Sequence, residues 1–241
     1  MPSDLPRLSA VSLALGGGLV AWILLGPWVQ APLLDALGVR GVAGISLAWA
    51  VAGLAAGRPA RVPPELDLGR APFAGVALLT ASSLATGSRL GLALLPAWIY
   101  AALALLFWRS LARHPGGAIG RMARLVERHA PDFIDPYCRR VTAIWAGIFA
   151  ASALAVGAAA LLADAETWSF TAGALVYGAM AAFSAAEYLV RKLWFRNYKR
   201  GPLDRILARL FPAEATPQGR RSLAYIRETR ARLGMQPYER G

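Results

Sequence analysis

One cysteine and two histidines in 241 residues leave little from which to build a metal centre or a thiol site. A single Cys138 excludes a disulfide within one chain, and His114 and His129 lack metal-ligand spacing and a supporting carboxylate pair. No metal and no cofactor is expected. A nucleophilic pairing of Cys138 with His129 stands open beside the plainer reading of a cysteine at a membrane boundary, since nothing in the spacing fixes their geometry. Acidic residues are scarce too, 14 against 26 lysines and arginines. Gly16-Gly17-Gly18 lies inside an apolar run and is no phosphate-binding loop. No repeat of 20–50 residues is evident, and no complete catalytic motif is present, so the catalytic residues are unknown.

What the chain has is long uncharged runs. Hydrophobic residues make up 56% and charged residues 17% of it, a balance that belongs in lipid. A run of roughly 18 uncharged residues crosses a hydrocarbon core about 30 Å thick as a helix. Six stretches qualify or nearly so: 8–28, 41–57, 71–87, 90–108, 141–163 and 168–190. The first is too long for a secretory signal and is expected to be retained. The second is the shortest, spanning only if Arg40 snorkels outward. The third and fourth are separated by Gly87-Ser88-Arg89, a tight turn, and the fifth and sixth by the acidic link Asp164-Ala165-Glu166-Thr167. The expected fold is an all-α polytopic membrane helical bundle of about six transmembrane helices with cytoplasmic interfacial helices. Residues 1–190 form the bundle, with a cytoplasmic loop over 109–140. Residues 191–241 form a basic tail.

Positive charge orients the bundle, because lysine and arginine in short loops stay on the cytoplasmic side. With both termini cytoplasmic, 24 of the 26 lie inside and only Arg40 and Arg89 outside. A multi-pass membrane protein with both termini cytoplasmic is expected. The net charge of +12 is therefore a topology signal, and no nucleic acid is expected as a partner. From Arg191 onward the tail carries 13 basic and 4 acidic residues, and it should lie against anionic lipid headgroups. Within it, Leu203, Ile206, Leu207, Leu210 and Phe211 recur at helical spacing after Pro202, predicting an amphipathic helix over 202–211. A weaker stripe of Ile119, Met122 and Val126, with Arg121, Arg124 and Arg128 on other faces, runs through the long loop until Pro131. Beyond Pro212 the polar tail is expected to be loosely ordered, with one exposed helix around 220–233.

Two places carry chemistry. Glu187 is the one carboxylate within a predicted span, where such groups are costly and default to function. Against that, Arg191 four residues on offers an interfacial ion pair, and Tyr188 is a hydrogen-bonding neighbour. Arg139 and Arg140 open the fifth span, with Thr142 and Trp145 following. A guanidinium pair there can clamp a phosphate or carboxylate, or simply anchor the helix at the membrane surface.

Three strings go further. Phe107-Trp108-Arg109-Ser110-Leu111, then Tyr137-Cys138-Arg139-Arg140-Val141-Thr142-Ala143-Ile144-Trp145, then Ala186-Glu187-Tyr188-Leu189-Val190-Arg191 together resemble a family of small polytopic inner-membrane proteins. These are encoded in bacterial clusters for aryl-polyene and xanthomonadin-type pigment lipids. The resemblance covers about 107–211, the amino-terminal half matching only in hydropathy, and Cys138 departs from the family's threonine. It implies a membrane-bound role in polyene acyl chain assembly, transfer or export at the cytoplasmic leaflet. It also implies Arg109, Arg139, Arg140, Thr142, Trp145, Glu187 and Arg191 as functional positions. The ketosynthase label some members bear finds no matching cysteine and histidine set here. Three functions stay in view: a non-enzymatic scaffold holding acyl carrier protein or synthase partners near the lipid, a membrane-embedded acyl or lipid transferase, and a small lipid transporter component.

Overall fold

The computed structural model describes residues 10–55, 70–126, 129–196 and 202–234, with side chains from Pro32 onward except at 202–204 and 230. Every regular element among them is helical. In order they are α1 (Ala10–Ala55), α2 (Ala71–Thr86), α3 (Leu90–Ala93), α4 (Leu95–Arg113), α5 (Gly117–Val126), α6 (Asp135–Leu162), α7 (Ala165–Phe170), α8 (Val176–Phe195), α9 (Pro202–Leu210) and α10 (Pro217–Arg232). A π-helical stretch, Thr171–Leu175, joins α7 to α8.

Four stretches are long and apolar enough to cross a membrane: Pro32–Ala55, Leu90–Arg113, Asp132–Leu162 and Ala165–Phe195. At 24 to 31 residues they run about 36 to 46 Å, against a hydrocarbon core of about 30 Å. α2, with 16 residues, reaches only about 24 Å. The expected span 8–28 falls mostly on residues whose side chains lie outside those described, although the backbone is helical from Ala10. The chain expected to connect the first two spans is not a loop. It is helical on both sides of Gly38, whose φ of 66° and ψ of 171° form the single break in α1. Only glycine adopts that conformation readily. Beyond this break the chain is helical from Val39 to Ala55, so the shortness foreseen for 41–57 stands, although the apolar stretch itself reaches back through the break to Pro32.

The described residues fall into two compact units, residues 1–122 with 135–178, and residues 123–134 with 179–241. The division expected near residue 190 is one of hydropathy and charge; this one follows packing.

In the first unit, Val42, Ala43 and Ala50 of α1 pack with Val76 of α2 and with Leu92 and Leu95. Small residues bring the helices close. Phe73 sits on the bare α-carbon of Gly53, and the Trp98 ring covers Gly75 while its Nε1 donates to the Pro72 carbonyl at 3.0 Å. α4 packs along α6, with Phe107, Phe149 and Trp145 in an aromatic row at centroid spacings of 5.2 and 5.3 Å. The break between α3 and α4 leaves the Ala93 carbonyl to accept from Trp168 Nε1 at 3.1 Å. Asp164 caps α7 by accepting from the Thr167 amide at 2.7 Å. The wide turn that follows keeps Trp168, Ala172 and Val176 all buried, four residues apart, where the 3.6-residue period alone would let them drift around the axis.

The second unit is built on Phe133, whose ring lies 6.4 Å from Phe195 and 6.0 Å, edge to face, from Tyr225. The Tyr225 hydroxyl donates to the His129 carbonyl at 2.6 Å, and Arg124 pairs with Asp132 at 3.0 Å. The helix expected around 220–233 is thus present as α10, but docked and not set in a loose segment. Thr216 caps α10 through the Gly219 amide, Pro217 suits its first turn, and Tyr225 docks the helix on the segment before α6. Residues 197–201 and 235–241 lie outside the described set.

Candidate functional site

Within the expected loop 109–140, α4 runs on to Arg113 and α6 begins at Asp135. Pro115 accounts for the first stop, because the residue before a proline is pushed out of the helical region. His114 there is extended, with φ −139° and ψ 135°. Between these ends the chain turns through Gly116 and Gly117 into α5, and side chains from α4 and α6 hold that turn.

α5 starts without a cap of its own, and its first amides are satisfied from outside. The Ala118 amide donates to Ser110 Oγ at 2.8 Å, and the Ile119 amide donates to Thr142 Oγ1 at 3.2 Å. Gly117 donates to the His114 carbonyl at 2.9 Å and Gly120 to the Gly116 carbonyl at 3.1 Å. A helix N-terminus with its amides open binds anions; here all four are taken. Ser110 and Thr142 are both 0% exposed. The Thr142 hydroxyl in turn donates to the Cys138 carbonyl at 2.8 Å, with the Gly116 carbonyl at 3.2 Å. The service is returned at the end of α4, where a guanidinium nitrogen of Arg139 donates to the Leu111 carbonyl, one of the orphan acceptors every helix leaves.

The glycines are dictated by this closeness. Gly117 has φ 62°, and a β-carbon on it would lie 2.7 Å from Thr142 Oγ1. A β-carbon on Gly120 would lie 3.4 Å from Asp135 Oδ1 and from Cys138 Cβ, and 3.5 Å from His114 Cε1. Asp135, Cys138 and His114 therefore converge on one small-residue face of α5. His114 Nδ1 accepts from the Gly116 amide at 3.1 Å, which puts the proton of a neutral ring on Nε2. The apolar stripe read from the sequence is not the buried face. Met122 is 41% and Val126 90% exposed, whereas Ala118 is fully buried, because only the glycine and alanine side lets α5 approach α6. Arg128 lies outside the described residues.

Thr142 and Arg139 are thus at the junction, holding helix ends together. Arg109 and Arg140 are exposed beside it, and Trp145 is half-buried in the aromatic row. Cys138 is 5% exposed. Glu187, Tyr188 and Arg191 belong to the other unit. There Glu187 pairs with Arg191 Nε at 3.4 Å, the carboxylate side chain 16% and the guanidinium side chain 54% exposed. Arg191 and Lys192 stand 5.9 and 5.6 Å from the Tyr188 ring centre. Among the described residues, no group of three or more His, Cys, Asp or Glu side chains is placed to hold a metal ion.

Sequence reading missed Ser110 as a cap and the convergence of His114 with Asp135. The signals were local: a histidine-proline-glycine-glycine turn, and an aspartate-proline pair opening α6. No family model matches the chain, and no curated protein or solved structure matches it.

Proposed function

We propose that this chain is an accessory scaffold of a bacterial inner membrane, crossing it six times with both termini in the cytoplasm. Its role is to hold acidic soluble partners, carrier proteins and synthases, against the cytoplasmic leaflet during assembly of an aryl-polyene-type lipid or pigment. The observation that carries this reading is the charge distribution: 24 of 26 cationic side chains fall on one side of the proposed topology. A basic rim of that kind steers acidic partners into encounter.

Two features favour a scaffold over a transferase. Arg139, half of the guanidinium pair read as an anion clamp, spends a guanidinium nitrogen on the Leu111 carbonyl. Glu187 is engaged by Arg191. Both then serve architecture, and the exposed Arg109 and Arg140 are left to meet partners.

The test is a lipid and pigment extract, read by absorbance and mass spectrometry, from strains carrying the intact gene, its deletion, or Glu187→Gln or Arg139→Ala at equal protein level. The scaffold reading expects loss of product in the deletion and little change in the point variants. Accumulation of one precursor in all three would replace it with an enzyme, and an unchanged extract in the deletion would remove the pigment-lipid assignment. Capture of acidic carrier proteins should hold at about 0.1 M salt and fail towards 1 M, as the screening length drops from about 10 Å to about 3 Å.

A further inference from the structure

α9 is apolar along two lines, and the tail uses only one of them. Leu207 is buried, as are Ala213 and Leu223 of the same unit. Ile206 and Leu210, four residues apart and so on one line of the helix, are 56% and 66% exposed. Arg205 and Arg209, one position before each, form an exposed basic line next to it. Around the axis the order is therefore basic, apolar and open, apolar and packed. The sequence groups Leu207 with Ile206 and Leu210 in one apolar stripe; its burial sets it apart from them.

The far end of α9 is tied back to the end of α8. Arg196 donates to the Pro212 carbonyl at 2.6 Å, and its guanidinium stands 5.9 Å from the Phe211 ring centre. α9 has 9 residues, about 14 Å, so the whole helix stays within a short reach of where α8 ends. That end carries Leu193 at 37% and Trp194 at 50% exposure, next to Lys192. An open apolar line bordered by arginines and held beside the end of a membrane-length helix matches one surface in charge and depth, the boundary between anionic headgroups and acyl chains.

We propose that α9 lies in that boundary, with Ile206 and Leu210 among the acyl chains and Arg205 and Arg209 on lipid phosphates. The proposal rests on α8 crossing the membrane, and the test separates the two claims. The full chain, with Cys138→Ser, carries a fluorophore at Leu210→Cys or, as a control, at Leu154→Cys on α6, where Leu154 is 76% exposed. Each is reconstituted in vesicles of phosphatidylcholine alone or with about a third phosphatidylglycerol, an anionic fraction that attracts basic segments. Quenching by lipids brominated on the acyl chain is then read.

The Leu210 label should be quenched several-fold more in the anionic vesicles, and Arg205→Glu with Arg209→Glu should abolish the difference. The Leu154 label should be quenched equally in both. Quenching at Leu154 but not at Leu210 overturns the docking of α9 and leaves the spanning reading intact; quenching at neither overturns both. Protection of Leu210 that rises with protein concentration, or appears only on adding an acidic protein, overturns the lipid as occupant.

Discussion

Thr142 does three jobs with one oxygen and one proton: it receives the Ile119 amide and shares its own hydrogen between the Cys138 and Gly116 carbonyls. Removing that hydroxyl while keeping the shape leaves a buried amide at a helix start unanswered. Thr142→Val should therefore destabilise the protein by about 1–2 kcal/mol, read as a lower thermal midpoint in detergent, whereas Thr142→Ser should recover most of the loss. Equal behaviour of the two variants would contradict the capping role. Cys138, below it in the same turn and 5% exposed, should resist a maleimide in the folded protein and react once denaturant is added. Rapid labelling of the native protein would mean that the junction opens. The sequence singled out Thr142 and Arg139 for function, Arg139 as half of a guanidinium pair and both through a resemblance. Their structural role was not legible, because a cap supplied by another helix leaves no local spacing to read. Glu187 and Arg191 were legible, being four apart on one helix.

Among the elements, α7 offers a clean titration. Asp164 is solvent-exposed, and its carboxylate is held below the ordinary aspartate range chiefly by the Thr167 amide that it caps. A carboxyl whose folded pKa is depressed stabilises the fold above its unfolded pKa, and that contribution disappears as pH falls through the folded value. The first turn of α7 should accordingly fray on acidification below the usual carboxylate range, seen as a falling protection factor at the Thr167 amide once the intrinsic pH dependence of exchange is divided out. Asp164→Asn should exchange at a rate that no longer depends on this titration. This cap was readable in advance as an acidic link between two apolar runs. The break at Gly38 was not, since both flanks are helix-forming and the glycine is one of 24. Nor was the packed face of α5, where apolar residues point out because bulk would hold the helix away from Cys138 and Asp135.

At the scale of the whole molecule, apolar length and charge bias were the readable part. Four of the runs are helices of membrane-crossing length, and the tail helix at 202–211 is present as α9. The folding of the tail against the segment around Phe133 was hidden, because it depends on contacts between residues nearly 100 positions apart, as with Tyr225 and His129. The proposed topology makes a direct prediction. With Cys138→Ser, a cysteine at Glu166 should react in intact cells with a membrane-impermeant maleimide delivered from outside, and one at Arg227 only after lysis. The reverse pattern would place the basic side outward and remove the basis for a cytoplasmic scaffold.

The wide turn at Thr171–Leu175 also bears on how this chain tolerates change in length. It holds Trp168, Ala172 and Val176 in line at intervals of four, which an α-helix cannot do without one surplus residue. Deleting a single residue there would restore an ordinary helix and leave the flanking residues near their present register, whereas a deletion in a regular helix rotates everything after it by about 100°. A deletion series across it should find one register in which the helix shortens yet stays folded, while the same deletion in the middle of α6, which has no surplus to give up, should not be accepted.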